Sequence, residues 1–288
     1  MTKKTVLITI VMMFSVMFSN ASVMAKSLTS IQVKGSDTMV NLVQAWAEDY
    51  MKMNPDSFIA VTGGGSGTGF SALIGGTCDI AVASRSIKAK EIELASKKGI
   101  APREFKVALD GLAVVVHPKN PISQLTLDEL SGIFTGKIQN WKEVGGIDAK
   151  IVILSREVNS GTHVYFKEHV LRKGDEKSKE EFSSEALMLS SSQAIADEIS
   201  QNPSAIGYYG MGYIGKGQKA LSIAKSTGSE YVEPRTEDVT SGRYPISRPL
   251  FLYTPGDPKG DVKKFIDFML SNEGQAVVSK MDFVPLKK

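Results

Sequence analysis

Short apolar runs alternate with longer amphipathic stretches along most of the chain. The runs have the length of β-strands, and they are Ile31–Lys34, Ser57–Thr62, Ile80–Ala83, Val107–His117, Ile151–Leu154 and Ile206–Tyr209. The amphipathic stretches predict helices over Val40–Met53, Ala89–Lys98, Leu127–Phe134, His163–Arg172, Ser192–Gln201 and Val262–Lys280. Strands that alternate with helices predict an α/β architecture with largely parallel sheets.

The length of the chain and the absence of a linker indicate how these elements are organised. The sequence has 288 residues, which is long for one compact domain and comfortable for two lobes. No Pro-rich or Ser-rich stretch separates independent domains. We therefore predict two α/β lobes that are joined by strands crossing between them, with a cleft at the junction. Thr126 followed by Glu129 has the spacing of a capping box and predicts the start of one helix.

The first 25 residues have the pattern of a signal peptide. Lys3 and Lys4 precede a 13-residue, mostly apolar stretch from Val6 to Phe18, and Val23 and Ala25 fit a cleavage site for small residues. A membrane span needs about 20 apolar residues, so a cleaved signal is favoured over an uncleaved anchor. No cysteine follows the stretch, so a lipid-modified N-terminus is not expected. The sequence predicts a soluble protein exported to the periplasm.

Composition argues against several classes of function. The net charge of +3 is too small for a nucleic-acid-binding protein that works by bulk electrostatics. Cys78 is the single cysteine, which excludes an intramolecular disulfide and a cysteine-based zinc site. His163 and His169 are six residues apart and would lie on different faces of a helix. We expect neither a metal nor a cofactor.

Three strand-to-helix junctions carry loops rich in glycine and hydroxyl side chains. These loops are Gly35–Thr38, Gly63–Gly69 and Asn159–Thr162. Free backbone N–H groups and the positive end of the helix dipole lie at each helix start. Glycine permits close approach of the backbone, and Ser or Thr adds a hydroxyl donor. One such loop is an ordinary helix N-cap, whereas three that can converge on a cleft favour an oxyanion site.

Two arginines strengthen the interpretation as an oxyanion site. Arg85 and Arg156 each follow the end of a predicted strand, where open α/β sheets bind ligands. A guanidinium group can bond two oxygens of a tetrahedral anion at once. Each arginine taken alone is as compatible with a surface position or an ion pair. The glycine-rich segment lacks the Lys-Ser/Thr of a P-loop, and Phe70 stands where a dinucleotide fingerprint needs its third glycine.

Several segments resemble the periplasmic phosphate-binding proteins, which are the solute receptors of phosphate ABC transporters. They are GSDTMVNLVQAWAEDY, GGGSGTGFSALIGGTCDIAVASR, LSGIFTGKIQNWKEVGG, SREVNSGTHVYF, AIGYYGMGY and SNEGQAVVSKMDFVPL, and together they cover most of the region from Ile31 to Leu286. The Arg-x3-Ser-Gly-Thr pattern that begins at Arg156 is the most diagnostic. The resemblance implies a type 2 periplasmic-binding-protein fold, in which two α/β lobes close on phosphate.

The same resemblance implies a domain organisation and a set of partners. Lobe 1 would comprise residues 26–113 and 246–288, and lobe 2 residues 114–245, after a signal peptide of residues 1–25. The crossovers between the lobes would lie near Leu112–Val116 and Arg243–Phe251. The protein would bind inorganic phosphate without chemical turnover, as a monomer, and deliver it to the membrane permease subunits of an ABC transporter.

The site residues implied by the resemblance come from the three loops and the strand ends. They are Ser36, Asp37, Thr38, Ser66, Gly67, Ser84, Arg85, Arg156, Ser160, Gly161 and Thr162. One departure concerns Arg85, because some family members have there an acidic residue that accepts a proton carried by phosphate. Asp37 is our candidate for that acceptor, and its alternative role is that of a helix N-cap. A carboxylate acceptor would favour protonated phosphate over sulfate.

Two other functions remain open at this point. The same fold could be tuned to another tetrahedral oxyanion, such as sulfate or molybdate. The second alternative is an exported phosphatase or phosphoryl-transfer enzyme. Against an enzyme, the sequence shows no cluster of Asp and His metal ligands and no base beside Ser36, Ser66 or Ser160.

Overall fold

The computed structural model describes residues 29–286, so the predicted signal peptide lies outside the described residues. The strands are β1 (Thr29–Gly35), β2 (Ser57–Thr62), β3 (Ile80–Ala83), β4 (Arg103–Val116), β5 (Gln124–Thr126), β6 (Val152–Arg156), β7 (Leu187–Leu189), β8 (Ala205–Gly210), β9 (Lys219–Ala220), β10 (Ser222–Ala224) and β11 (Ser247–Thr254). The helices are α1 (Val40–Met53), α2 (Ser66–Gly75), α3 (Ala89–Lys97), α4 (Leu127–Phe134), α5 (Gly161–Phe166), α6 (Ser192–Gln201), α7 (Thr236–Ser241), α8 (Gly260–Leu270) and α9 (Asn272–Lys280). Short 3-10 turns lie at Asp37–Met39, Trp141–Val144 and Met211–Tyr213, and a π-helical turn lies at Lys167–Leu171.

One long sheet runs through the described part of the chain. Its order is β2-β1-β3-β11-β4-β8-β6-β7, and β9 pairs with β4 beside this path. At one end β1 is parallel to β2 and β3, and at the other end β6 is parallel to β7 and β8. In the middle, β4 and β11 are antiparallel to each other. The parallel ends are the sheets of two lobes, and β4 and β11 are the crossover strands that join them, which confirms the predicted fold class.

Each lobe packs around its own buried tryptophan. In lobe 1, Trp46 on α1 is fully buried and its indole N–H donates to Gly274 O over 2.7 Å. In lobe 2, Trp141 is fully buried and donates to Ser204 O over 2.9 Å. The tryptophan of each lobe therefore lies in an apolar core with its indole N–H satisfied, and each core supports the loops at its edge.

Two of the predicted helices end earlier than their apolar pattern indicates. The helix predicted over Val262–Lys280 is wrong as a single helix, because Ser271 is extended and separates α8 from α9. The Ser271 hydroxyl accepts from Gly274 N over 3.1 Å and so caps the second helix. The helix predicted over His163–Arg172 ends as α5 at Phe166 and continues as the π-helical turn. The capping box of Thr126 and Glu129 is confirmed at the start of α4.

The apolar pattern predicted most strands but did not predict β11. This strand carries Arg248 and Pro249 inside an otherwise apolar run, and both residues are atypical of a buried strand.

Cys78 is buried, and burial raises the pKa of its thiol to about 11, so the thiol stays protonated at neutral pH. Within residues 29–286, no helix combines the length and the apolar character needed to cross a membrane.

Candidate oxyanion site

The three predicted loops meet between the lobes, and two glycines make this approach possible. A Cβ atom on Gly161, at the start of α5, would lie 2.3 Å from Ser66 Oγ and 2.7 Å from Ser84 Oγ. Gly65 has a φ of +93°, and a Cβ atom there would lie 2.7 Å from Asn159 O. A side chain at either position would therefore force the lobes apart.

Five buried hydroxyl groups lie together at the meeting point, and we call them the hydroxyl cluster. They are Ser36, Thr38, Ser66 and Ser84 from lobe 1 and Thr162 from lobe 2, each at most 1% exposed. Ser36 Oγ donates to Ser84 Oγ over 3.0 Å, and Ser66 Oγ accepts from Ser84 N over 3.0 Å. Thr38 Oγ1 and Thr162 Oγ1 are 2.8 Å apart. Hydroxyl groups predicted from separate loops are thus brought together.

Ser160 and Gly161 place the lobe 2 helix start against this cluster. Ser160 is the N-cap of α5, and its hydroxyl accepts from Thr162 N over 3.2 Å and from His163 N over 3.4 Å. This cap fixes the direction of the first turn, so that the Thr162 side chain reaches the cluster. Ser160 and Gly161 therefore lie next to the hydroxyl cluster.

Arg156 ends β6 and is almost fully buried on the lobe 2 side. Its Nε donates to Leu189 O over 3.3 Å, its Nη2 to Ser190 O over 2.9 Å and its Nη1 to Ser192 Oγ over 2.9 Å. Nη1 also lies 3.1 Å from Asp37 Oδ2 of lobe 1. Burial lowers the pKa of Arg156, and the charge of Asp37 opposes that shift. The guanidinium group is fixed by carbonyl groups and by an acidic partner that is distant in sequence.

Asp37 links lobe 1 to the start of a lobe 2 helix. Its Oδ2 accepts from Ser192 N over 2.8 Å and pairs with Arg156. The side chain therefore caps α6 of the other lobe, whereas the alternative from sequence was a cap of its own helix. Both contacts use Oδ2.

Arg85 is placed differently from the other predicted ligands. Its guanidinium forms a two-point ion pair with Glu91, with Nη1–Oε2 and Nη2–Oε1 distances of 2.8 Å and 2.7 Å. Nη1 also donates to Ser86 O over 2.9 Å, and the guanidinium lies 4.9 Å from the centre of the Phe70 ring. Within residues 29–286, its hydrogen bonds go to these groups and not to the hydroxyl cluster. Glu91 is the acidic partner that sequence spacing did not suggest.

The lobes are in direct contact through backbone groups beside the cluster. Gly67 N, which we predicted as a ligand donor, donates to Asn159 O over 3.0 Å. Asn159 Nδ2 in turn donates to Gly64 O over 2.9 Å. These reciprocal bonds hold the two lobes in a closed arrangement.

Sequence reasoning missed an ion pair on the crossover strands, formed by Asp110 on β4 and Arg248 on β11. Arg248 Nε and Nη2 donate to Asp110 Oδ2 over 3.0 Å and 2.9 Å. Arg248 also donates to Thr162 Oγ1 and to Ser84 O, so the pair adjoins the hydroxyl cluster. Burial raises the pKa of Asp110, and Arg248 opposes the shift. The signal available in the sequence was a single charged residue inside each apolar run, Asp110 in one and Arg248 in the other.

The arrangement is suited to binding an anion. Hydroxyl groups from both lobes lie within hydrogen-bond distance of one another, and Arg248 donates to one of them. Arg156 pairs with Asp37, which lies between Ser36 and Thr38 in the chain. Burial lowers the pKa of His163 to about 4, so it is neutral at physiological pH, and its Nδ1 faces Ser155 Oγ at 3.4 Å. Among the described residues, no group of three or more His, Cys, Asp or Glu side chains is arranged to hold a metal ion.

Comparison with known proteins shows relatives over nearly the whole chain. Residues 20–273 match the family model described as a PBP superfamily domain. The phosphate-binding protein PstS of Pseudomonas aeruginosa is 34% identical over 286 residues, covering 93% of this chain and 86% of the relative. The phosphate-binding protein PstS of Bacillus subtilis is 34% identical over 263 residues, covering 91% of this chain and 82% of the relative.

Solved structures give the same result. A chain from Clostridium perfringens, described as a phosphate ABC transporter substrate-binding protein with bound phosphate, superimposes with a TM-score of 0.80 at 33% identity and covers 90% of this chain and 100% of that one. An ABC-type phosphate transport receptor from Vibrio cholerae has a TM-score of 0.70 at 30% identity and covers 89% of this chain and 100% of that one. The two lobes, the three converging loops and these relatives together show that the chain belongs to the phosphate-binding proteins of the PBP superfamily.

Proposed function

We propose that this protein binds inorganic phosphate outside the cytoplasm and delivers it to the permease of an ABC transporter. The observation that carries the proposal is the hydroxyl cluster, to which both lobes contribute and beside which Arg156 and Arg248 supply positive charge. The relatives from Pseudomonas, Bacillus, Clostridium and Vibrio are phosphate-binding proteins or phosphate transport receptors by name, which supports phosphate as the ligand.

Binding would couple to closure of the lobes. Ser36, Thr38 and Ser66 approach the ligand from lobe 1, and Ser160 and Thr162 approach from lobe 2. An anion that accepts from both sets gains its full set of hydrogen bonds in the closed state, so it shifts the population of the protein towards that state. The permease can then distinguish the loaded protein from the unloaded one.

Two predicted ligands, Gly67 and Arg85, are already bonded to other protein groups. The Gly67 amide donates to Asn159 O, and Arg85 is paired with Glu91, so each would exchange a protein partner for the ligand. Ser84 needs no such exchange, because its hydroxyl already lies in the cluster. We keep all three as proposed ligands, together with Gly161, which lies against Ser66 and Ser84 at the start of α5.

Asp37 is our proposed acceptor for the proton that phosphate carries at neutral pH. Its free Oδ1 would accept that proton, while Oδ2 keeps its bonds to Ser192 N and Arg156. Sulfate carries no such proton and would leave the carboxylate oxygen facing another oxygen. This acceptor gives the site a chemical means of preferring phosphate over sulfate.

The lobe boundaries, export and assembly state complete the proposal. We place lobe 1 in residues 26–113 and 246–288 and lobe 2 in residues 114–245, and the two tryptophan cores support this division. Removal of residues 1–25 as a signal peptide would release a monomeric protein into the periplasm.

The deciding experiment is a calorimetric titration of purified protein that has been stripped of phosphate. We expect tight, saturable binding of phosphate and arsenate, with sulfate binding at least about tenfold more weakly. Tighter binding of sulfate or molybdate would favour the alternative of another oxyanion. A thermal-shift series with the same anions gives an independent ranking, because a ligand stabilises the state it binds.

The enzyme alternative is tested with a chromogenic phosphate ester. A receptor without a base beside the serine hydroxyls should give no turnover above the buffer rate. Catalytic release of the chromophore that disappears in Ser66→Ala would contradict the non-enzymatic function.

A further inference from the structure

Arg248 lies where the crossover strands meet the hydroxyl cluster. It stands directly opposite Asp110 in the antiparallel register of β11 and β4. The Arg248 side chain is 1% exposed and that of Asp110 is not exposed at all. A permanent charge at such a depth must be held by specific partners.

Two side chains, Asp110 and Tyr165, fix the orientation of the guanidinium. Asp110 Oδ2 accepts from Nε and Nη2, and Asp110 Oδ1 is itself held by Met211 N over 3.1 Å. The guanidinium also lies 5.5 Å from the centre of the Tyr165 ring. Tyr165 is held in turn, because its hydroxyl donates to Ser247 O over 2.6 Å. The position of Arg248 is therefore set before any ligand arrives.

The remaining bonds of Arg248 reach both lobes. Nη1 donates to Ser84 O of lobe 1 over 3.0 Å, and Nη2 donates to Thr162 Oγ1 of lobe 2 over 2.9 Å. A guanidinium group has N–H donors and no acceptor, so Arg248 must be the donor and Thr162 Oγ1 the acceptor of their bond.

This direction determines what the threonine hydroxyls can do. A hydroxyl has one proton, and Thr162 Oγ1 already accepts from Arg248, so its own proton points to a different acceptor. Thr38 Oγ1, at 2.8 Å, is one such acceptor, and when it accepts, its own proton points onward. The two threonine hydroxyls share one proton in either direction, and one lone pair of Thr162 is occupied by Arg248. In either direction the pair therefore has one proton left to donate.

Resting on the proposed function, we infer that Arg248 is a positioning residue that makes the Thr162–Thr38 pair donate hydrogen bonds to the bound oxyanion. An arginine stays protonated at all physiological pH values, so Arg248 always donates to Thr162 and always occupies that lone pair. Without Arg248, either hydroxyl can rotate and present a lone pair to the anion, and the negative charge of the anion repels that lone pair. Hydrogen bonds in a chain also polarise one another and become stronger donors.

A purely structural role for Arg248, as a link between the crossover strands, makes a different prediction. A structural role changes the affinity for every ligand through closure or folding, and it does not depend on the presence of the Thr162 hydroxyl. A positioning role acts through that hydroxyl. The two roles are separated by the coupling between Arg248 and Thr162.

The test is a double-mutant cycle on phosphate binding, measured by calorimetry with inorganic phosphate. The background variant is Asp110→Asn with Arg248→Met, which removes both charges and leaves neither buried without its partner. In the wild type, we expect Thr162→Val to weaken binding by about tenfold or more. In the background variant, the same substitution should weaken binding by less than about threefold.

Asp37→Asn is the matched control, because the Asp37 carboxylate contacts Arg156 and Ser192 N and neither Arg248 nor Thr162. Its factor should be the same in both backgrounds. A Thr162→Val factor that changes by less than about threefold between the backgrounds overturns the inference. Circular dichroism checks that each variant folds.

A second variant keeps the test decisive if the background variant does not fold. Arg248→Lys with Asp110 intact retains the charge pair, but an ammonium group lacks the fork that spans Asp110, Ser84 and Thr162. The cycle is repeated there with the same criterion. It is run with whichever of phosphate, sulfate and molybdate binds the wild type, so a failure to bind phosphate overturns only the proposed function.

Discussion

The helix-start loops and the crossover strands both reach the hydroxyl cluster, but they hold their polar groups in different ways. Apart from Asp37, the loops contribute neutral groups, and some are fixed by nearby backbone, as when the Ser160 hydroxyl accepts from Thr162 N two residues later. The crossover strands contribute two opposite charges, Asp110 and Arg248, from positions 138 residues apart. Neutral donors need a local backbone conformation, whereas a buried charge needs a partner delivered by the strand register.

This contrast has an energetic consequence. A neutral hydrogen bond contributes about 1 kcal/mol to stability, and its loss is tolerated. Breaking a buried ion pair costs about 3–5 kcal/mol, because one charge stays buried without a partner. The loops should therefore control affinity, and the crossover strands should control both affinity and folding.

The largest expected effect is on the crossover strands. Arg248→Met should lower the free energy of unfolding by about 3–5 kcal/mol in urea denaturation, because Asp110 loses its partner. Adding Asp110→Asn should recover more than half of that loss. Arg235→Met, which breaks an exposed pair with Glu233, is the control and should cost less than about 1 kcal/mol. Equal losses in the single and double variants would contradict the account.

The loss of stability in Arg248→Met should depend on pH. Burial raises the pKa of Asp110, and removal of Arg248 removes the charge that opposes this shift. A carboxyl group with a raised folded-state pKa stabilises the fold at low pH and loses that contribution as the pH rises. The deficit of Arg248→Met should therefore be smaller at mildly acidic than at mildly alkaline pH, as measured by urea denaturation at both.

On the loop side, Gly161→Ala should lower phosphate affinity by about 10- to 100-fold. The new Cβ atom would lie 2.3 Å from Ser66 Oγ, so the lobes could not close fully. Gly75→Ala is the matched helical control, because a Cβ atom there meets nothing closer than 3.9 Å. Calorimetry on both variants measures the difference, and equal affinities would show that the close approach is unnecessary.

A buried histidine on α5, His163, gives a smaller expected effect, which concerns the stability of the fold and not phosphate binding. Burial lowers the pKa of His163 from 6.5 to about 4, so the unfolded chain binds a proton in this range that the folded chain does not. The free energy of unfolding should fall as the pH drops from about 6.5 towards 4, by on the order of 2 kcal/mol.

Denaturation curves at several pH values measure this slope. His163→Gln should remove most of the slope, and His169→Gln, at an exposed position, should leave it in place. An unchanged slope in His163→Gln would assign the effect to other groups.

The smallest effect is on selectivity and concerns Asp37. Asp37→Asn should keep phosphate binding measurable while narrowing the preference over sulfate by up to about tenfold, because an amide cannot act as the same proton acceptor. Calorimetric titration with both anions gives the ratio. Equal weakening for both anions would limit Asp37 to its bridge between Arg156 and Ser192 N.

The loops of the site could be predicted because their signals are local. Gly35–Thr38, Gly63–Gly69 and Asn159–Thr162 each stand between a predicted strand and a predicted helix, and the structure brings all three together. The ion-pair partners of the two predicted arginines could not be predicted from local signals. Arg85 and Arg156 have equivalent positions after strands, yet Glu91 pairs with one and Asp37 of the other lobe with the second.

The crossover pair could not be found by the same means. Asp110 lies inside a predicted apolar strand, and Arg248 lies in a strand that its own charge and the following proline concealed. The antiparallel register of β4 and β11 places them opposite each other, and register is a property of the folded sheet.

The sequence by itself determined the alternation of strands and helices, the three helix starts and the neutral donors at them, because capping, glycine geometry and apolar periodicity act over a few residues. The tertiary structure decided which charges meet: Arg156 with Asp37, Arg85 with Glu91 and Arg248 with Asp110. Electrostatic partners are chosen by distance in space and by the cost of burying a charge, and neither quantity exists until the lobes have folded and closed.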